Sequence, residues 1–261
     1  MTVQYDGAGF HGWQYQPDQR TVQGVLQELL ARLGDRPCTV LGSGRTDSGV
    51  HATGQVASVD MPPSWTPEAL RRSLNATLPP DVWVESVRPA RPGFHPRYDA
   101  VARTYEYRIG SDQAAASPFH RRWCWPLTDD LDGALLSSAA SCLLGTHSFL
   151  AFSKAGQPER GEACTVREAR WSEWEHGHRF TLTADRYLHH MVRYLVGTMV
   201  DIARLRRAPS DLPRLLENDP ELTTSPPAPP QGLFLSHVEY PDSARLGHDA
   251  TPSPTRSTAT A

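Results

Sequence analysis

Gly44-Arg45-Thr46-Asp47-Ser48-Gly49-Val50-His51-Ala52 is the stretch on which the reading of this chain turns. It sets one carboxylate, Asp47, close to one guanidinium, Arg45, among the glycines Gly42, Gly44 and Gly49. Glycine lets a backbone turn sharply and lets a bulky ligand approach it. Asp, Ser and Gly are also ordinary turn residues, so the plainer reading is a polar hairpin turn. The sharper one is a loop that holds Asp47 out as a reactive group.

Outward from this loop, the first half of the chain reads as strand, helix, two strands, helix, strand. Residues 3–6 form a short strand. Thr21 caps a helix to about Leu33, with Gly34 just past its end. Its apolar stripe is Val22, Val25, Leu26, Leu29, Leu30 and Leu33. Residues 39–41 lead into the glycine loop, and residues 50–59 return as a strand. Thr66-Pro67-Glu68 opens a second helix with Pro at its first position. Residues 82–87 alternate as a strand does.

The second half repeats this order. Residues 104–109 form a strand with Tyr105 and Tyr107 on one face. Thr128 caps a helix through Leu144, with Asp129 and Asp130 in its first turn and Gly145 as its stop. Residues 167–174 and 178–184 form a hairpin around His176-Gly177, residues 188–205 a long helix, and residues 233–240 the last strand. The expected fold class is therefore α+β. It has two ferredoxin-like β-α-β-β-α-β halves with mainly antiparallel sheets, related by pseudo-symmetry and meeting at a central cleft. The expected boundaries are 1–95 for the half carrying the glycine loop and 96–240 for the second half. A disordered tail, rich in Ser, Thr, Pro and Ala, takes 241–261.

Composition narrows the function classes. A chain of 261 residues is long enough for a sizeable core. No apolar run approaches the roughly 20 residues needed to cross a bilayer. Residues 1–7 lack a basic start followed by an apolar stretch, so no export signal is read. The four cysteines are scattered, which argues against a zinc knuckle or disulfide framework and for a reducing cytoplasm. The net charge of −3 gives no general pull towards nucleic acid. All but one of the 26 basic residues are Arg, the exception being Lys154. Arg suits phosphate and stacks on rings, but coding bias is the better account of such an excess.

Two further residues stand out. Arg193 lies in Tyr187-Leu188-His189-His190-Met191-Val192-Arg193-Tyr194-Leu195-Val196-Gly197, where most neighbours are apolar. A guanidinium at a core edge needs a counter-charge, and Asp47 is the best candidate; the alternative is an Arg that snorkels to solvent. Tyr105 lies in Arg103-Thr104-Tyr105-Glu106-Tyr107. It either projects from a sheet face to stack on a base or packs in the core, a reading that fits Tyr107 better. His189 and His190, placed on a helix, point to different sides. They lack the four-residue spacing of a zinc helix, so no metal is expected. Neither a phosphate-cradling G-x-x-x-x-G-K-[ST] loop nor a G-x-S-x-G elbow is present.

Taken together, these anchors resemble the bacterial tRNA pseudouridine synthase family TruA. The resemblance rests on Tyr5-Asp6-Gly7, Gly12-Trp13-Gln14, Thr21-Val22-Gln23, the Gly44 to Ala52 run and Gly54-Gln55-Val56. It continues through Leu74-Asn75-Ala76, Phe94-His95-Pro96-Arg97, Tyr105-Glu106-Tyr107, His189-His190-Met191-Val192-Arg193 and Gly232-Leu233-Phe234-Leu235. Asp185 and Arg186 depart from it, standing where the family usually has neutral residues. The resemblance implies isomerisation of uridine to pseudouridine at positions 38, 39 and 40 of the tRNA anticodon arm, by a homodimer, with no cofactor and no metal. It implies Asp47 as nucleophile, Tyr105 stacked on the target base, Arg193 paired with Asp47, and Arg45 holding the nucleotide out of its stack. Asp47 then either attacks the ribose or acts as a base at the sugar. An Arg-lined cleft is expected, with Arg71, Arg72, Arg97, Arg121 and Arg122 as candidates. The alternatives are a related isomerase of other RNA uridines and a non-catalytic RNA-binding protein on the same fold.

Overall fold

A computed structural model describes residues 1–154 and 161–244. In chain order the strands and helices are β1 (Thr2–Tyr5), α1 (Val22–Gly34), β2 (Leu41–Gly42), β3 (His51–Ser58), α2 (Pro67–Thr77) and β4 (Val82–Ser86). Then follow β5 (Ala102–Gly110), β6 (Trp125–Pro126), α3 (Gly133–Ser141), β7 (Gly145–Ser148), β8 (Ala163–Trp174) and β9 (Gly177–Ala184). The chain closes with α4 (Met191–Ala203), α5 (Asp211–Leu216) and β10 (Leu233–Glu239). Residues 241–244 of the expected tail include a short turn, Asp242–Ala244, and residues 245–261 lie outside the described residues.

All ten strands of the described residues join one sheet, in the order β4-β1-β3-β10-β5-β9-β8-β7, with β2 beside β3 and β6 beside β5. Pairing is antiparallel except at β3–β10 and β5–β6. The β3–β10 seam joins the early strands to the late ones. There Gly54 is required: a Cβ on it would lie 2.1 Å from the Ser236 carbonyl oxygen. The register places Ala52, Leu235, Tyr105 and Leu182 in one row across β3, β10, β5 and β9. The strand that follows the Asp47 loop and the strand that carries Tyr105 are thus separated only by β10.

Local chemistry explains most element ends. Thr21 accepts a hydrogen bond from the Gly24 amide, and Thr66 from the Ala69 amide, as N-cap hydroxyls do. Leu26, Leu29 and Leu30 of α1 are buried, as their spacing requires. The expected cap at Thr128 is wrong. Asp132 caps α3 instead, accepting from the Ala134 and Leu135 amides, and Thr128 has a positive φ of 54°. The expected helix over 188–205 starts later, at Met191, because His190 has left-handed backbone, φ 66°. The strand expected from 167 begins at Ala163, with a register irregularity between Val166 and Glu168 that breaks its alternation.

Candidate active site

The loop from Ser43 to Val50 is built from beneath by groups of its own half of the chain. Fully buried Gln55 donates from Nε2 to the Gly44 carbonyl at 2.8 Å and accepts from Ser43 Oγ at 2.7 Å. The Tyr5 hydroxyl and Thr46 Oγ1 share a hydrogen bond of 2.8 Å. The Trp13 amide donates to the Thr46 carbonyl at 3.0 Å, and the Gly49 amide to the Phe10 carbonyl at 3.3 Å. Gly12, at φ 89°, permits this close approach, since a Cβ there would meet the Thr46 carbonyl oxygen at 2.7 Å. Buried polar groups that are all paired give a rigid support. Asp47 therefore stands on a fixed turn, closed by the Val50 amide donating to its carbonyl at 3.1 Å.

Above the loop lies a cleft of about 1130 Å³. Asp47, Arg45, Tyr105, His189 and His190 all line it. Arg193 Nη1 reaches Asp47 Oδ2 at 3.7 Å, so the expected ion pair is present. The Arg193 side chain is largely buried, and its Nε donates to the Ala228 carbonyl at 2.7 Å. That carbonyl belongs to the Pro-rich segment before β10. The segment comes close because Gly197 of α4 has no side chain: a Cβ there would lie 2.1 Å from the Pro226 carbonyl oxygen.

Tyr105 is buried in the cleft wall and packs edge-on against Tyr187, with ring centroids 4.8 Å apart and planes at 72°. Burial, first, and then the nearby Tyr5 and Asp47 push its phenol well above the usual range. It is therefore a neutral ring at the cleft surface. Tyr107 is fully buried and donates its hydroxyl proton to the Pro229 carbonyl at 2.7 Å, in keeping with the core reading. Arg45 is exposed on the cleft and faces no carboxylate within ion-pair distance among the described residues.

Of the five arginines expected to line the cleft, only Arg97 does so. Arg71 pairs with Glu68 on α2, one turn away, and neither it nor Arg72 reaches the cleft. Arg122 pairs with Asp6, and Arg121 lies beside it outside the cleft. Arg103, Lys154 and Arg186 take their places. Arg103 is held by four carbonyls: Arg97 at 2.6 Å, Ser43 at 3.0 Å, Asp185 at 3.2 Å and Ala100 at 3.3 Å. It thereby ties the glycine loop to the segment before β5 and to the residue that follows β9. The tryptophans pack rather than line the cleft, Trp171 on Phe180 and Trp125 on Tyr107.

His189 and His190 were missed because a helical position would separate them. In fact both precede α4, and both turn towards Asp47. His189 Nε2 is 3.4 Å from Oδ1, and His190 Nε2 is 3.3 Å from Oδ2. The absence of any Ser, Thr, Asp or Asn among residues 186–190 was a usable sign that the helix begins unconventionally. The three ligand atoms lie within 4.8 Å of one another. Their N–O separations approach those around a tetrahedral zinc with ligands at about 2.0–2.1 Å. The surroundings fit a metal poorly. His190 Nδ1 is buried with no partner, whereas a metal-bound imidazole donates its other N–H to an acceptor. Arg193 also competes for the same carboxylate oxygen. The chemistry on offer is that of a single carboxylate ringed by nitrogen donors, with a neutral aromatic ring beside it.

Comparison with known proteins finds relatives over nearly the whole chain. A family model described as tRNA pseudouridine synthase matches residues 1–99 and 139–241. The tRNA pseudouridine synthase A of Methylacidiphilum infernorum is 39% identical over 242 residues, covering 92% of this chain and 94% of that protein. The proteins of the same name from Bacteroides thetaiotaomicron and Exiguobacterium sibiricum are each 36% identical. They cover 91% and 94% of this chain, and 88% and 97% of their own lengths. A carboxylate on a braced loop, the arginine that meets it and the tyrosine beside it thus sit in a chain that belongs to the TruA family of bacterial tRNA pseudouridine synthases, which are isomerases.

Proposed function

We propose that this chain converts uridine to pseudouridine at positions 38, 39 and 40 in the anticodon arm of tRNAs, with Asp47 as the nucleophile. The observation that carries this reading is the meeting of Asp47 and Arg193 at 3.7 Å, at the wall of a cleft that Tyr105 also lines. The cleft exceeds the roughly 300–1,000 Å³ of ordinary small-ligand pockets, which suits a polymer with one nucleotide turned out. Tyr105 stacks on the extruded base, Arg45 holds the nucleotide out of its helix, and Arg193 orients the carboxylate.

The reaction balances without an oxidant or a hydrolytic water. The bond from ribose C1′ to N1 breaks, the uracil turns, and C1′ bonds to C5. C5 gives up its hydrogen as a proton, and N1 gains one. Asp47 acts by attack at C1′ or by proton removal at the sugar, and either role needs the same carboxylate against the ribose. No cofactor is assigned.

The architecture is read as two ferredoxin-like halves with a boundary near residue 95. In its support, the orders β4-β1-β3-β2 and β10-β5-β9-β8 repeat one pattern, and the family model matches two segments. A homodimer in the cytoplasm is part of the same proposal. The four unpaired cysteines suit a reducing compartment, and among the described residues no helix is long and apolar enough to cross a membrane.

The test uses tRNA carrying tritium at uridine C5. Turnover releases tritium, and mapping of pseudouridine along the tRNA locates the product. The expected result is release from the anticodon arm that vanishes in Asp47→Asn, with tRNA binding retained. Full turnover in that variant, or pseudouridine confined to other positions, would overturn the proposal.

A further inference from the structure

The roles above leave His190 without one, although its Nε2 lies nearer to Asp47, at 3.3 Å, than His189 at 3.4 Å or Arg193 at 3.7 Å. Its backbone is left-handed, φ 66° and ψ 4°, an uncommon state for a non-glycine residue. As the N-cap of α4 its side chain makes no capping hydrogen bond. The ring points instead to Asp47 Oδ2, at 3.3 Å, and is largely buried. The turn is held in place on both sides. The His190 carbonyl accepts from the Arg193 and Tyr194 amides at 3.0 and 3.1 Å, and the His189 carbonyl accepts from the Lys154 amide at 3.0 Å.

Burial also selects the tautomer. His190 Nδ1 has no partner. A proton there would be a buried unsatisfied donor, which is costly, so the neutral ring carries its proton on Nε2. That is the nitrogen facing Asp47. The separation of 3.3 Å lies just beyond the ordinary hydrogen-bond range, and catalytic hydrogen bonds commonly reach full length only in a substrate complex.

We propose that His190 is a positioning residue for Asp47: its Nε2–H donates to Oδ2 and fixes the rotamer in which the carboxylate faces the ribose. This rests on the reading of Asp47 as the nucleophile. Arg193 reaches the same oxygen, but as a full charge tethered to Ala228. His190 adds direction without adding a second charge. The groups facing it are Asp47, His189, Arg193, Lys154 and Tyr194. Burial, first, and the cations around it lower its affinity for a second proton, while Asp47 raises it; the net direction is down. His190 is neutral at pH 7 and becomes a cation only below its usual range. A second full cation on Asp47 then weakens it as a nucleophile, so His190 contributes to the acid limb of the rate profile.

Two substitutions test this on full-length protein with tRNA substrate between pH 5 and 8.5. His190→Asn tolerates the left-handed backbone but is too short to place its amide where Nε2 stands. Its kcat is expected to fall roughly ten- to hundredfold, the loss of one hydrogen bond to a charged group, with tRNA affinity within about twofold of wild type. His190→Gln restores an N–H at about the right reach. It is expected to recover most of kcat and to lose the acid limb that His190 supplies, so that its activity extends to lower pH. A purely structural role would scale both variants equally at every pH. Wild-type turnover that disappears in Asp47→Asn secures the underlying reading. With that in hand, wild-type kcat in His190→Asn, or an unaltered acid limb in His190→Gln, overturns the role of His190 alone.

Discussion

Gly197→Ala is a substitution far from the carboxylate whose effect should nonetheless reach it. On propensity alone the change favours α4 by about 1 kcal/mol, since glycine is a poor helix former. Against this stands the added Cβ, 2.1 Å from the Pro226 carbonyl oxygen, where contacts under 3.0 Å are essentially never seen. The 226–228 segment must retreat by about 0.9 Å, and this overpacking costs about 1–3 kcal/mol. Retreat also stretches the 2.7 Å bond from Arg193 Nε to the Ala228 carbonyl past the ~3.2 Å limit of a good hydrogen bond. Losing that bond to a charged group costs about 1.5–3 kcal/mol more. The clash therefore outweighs the propensity gain, leaving a net loss of about 2–5 kcal/mol and a Tm lower by roughly 5–15 °C. Arg193, freed from Ala228, no longer fixes Asp47, and a displacement near 1 Å at reacting groups costs on the order of 100-fold in rate. Thermal melts with tritium release measure both effects. A Gly197→Ala protein with wild-type Tm and turnover would refute the chain from Gly197 to Asp47.

Arg103→Lys removes a planar fork that four carbonyls surround, and one ammonium cannot reach them all. It is expected to cost about 2 kcal/mol or more in a denaturant melt; an unchanged midpoint would show that the clamp is idle. Stability should also fall with acid because His51 is buried beside Asp6. Burial, the largest influence, lowers its proton affinity below the usual 6.5, so the unfolded chain takes the proton first as pH drops. The contribution is whole above about pH 6.5 and is lost as pH falls through the folded value. His51→Asn, which keeps an acceptor for the Gly7 amide, should flatten the decline in Tm between pH 7 and 5. An equally steep decline in that variant would exclude His51 as its source.

The contact between Asp47 and Arg193 could be anticipated because a guanidinium among apolar helix residues needs a counter-charge, and one carboxylate stood on a suitable loop. The helix caps at Thr21 and Thr66 followed from side-chain chemistry that acts within four residues. What escaped was decided at longer range. The run Thr128-Asp129-Asp130-Leu131-Asp132 offers four possible caps, and the packing of α3 on α4 and β8 selects the last. His190 adopts its left-handed turn because Met191 and Val192 must be buried while the ring faces the cleft. Similarly, Arg71 and Arg72 seemed available because the pattern of α2 shows which face is polar, not what that face overlooks. Gln55 and Arg103, which brace the site, carry no local signal at all; only the strand register reveals their partners.

The charge distribution leads to the last prediction. A net charge of −3 is a poor match for a polyanion, yet the cleft is lined by five cationic side chains, Arg45, Arg97, Arg103, Lys154 and Arg186, against two carboxylates, Asp47 and Asp185. Outside it, carboxylates neutralise arginines pairwise, as at Arg20–Asp81, Arg91–Asp99, Arg170–Glu168 and Arg207–Asp211. At physiological salt a charge is screened beyond about 8 Å, so a phosphate in the cleft responds to the local excess rather than to the whole-chain deficit. Arg45, Arg97 and Lys154 are the exposed members of that set. Three phosphate contacts give a slope of log affinity against log salt of about −2 to −3. Arg97→Gln should lessen the slope by about 1 and weaken binding, while kcat at saturating tRNA stays near wild type, because the ion-pair contacts to Asp47 come from His189, His190 and Arg193 and not from Arg97. Filter binding from low to physiological salt measures it. Affinity indifferent to salt, or a slope unmoved by Arg97→Gln, would mean that the cations of this cleft do not hold the RNA backbone.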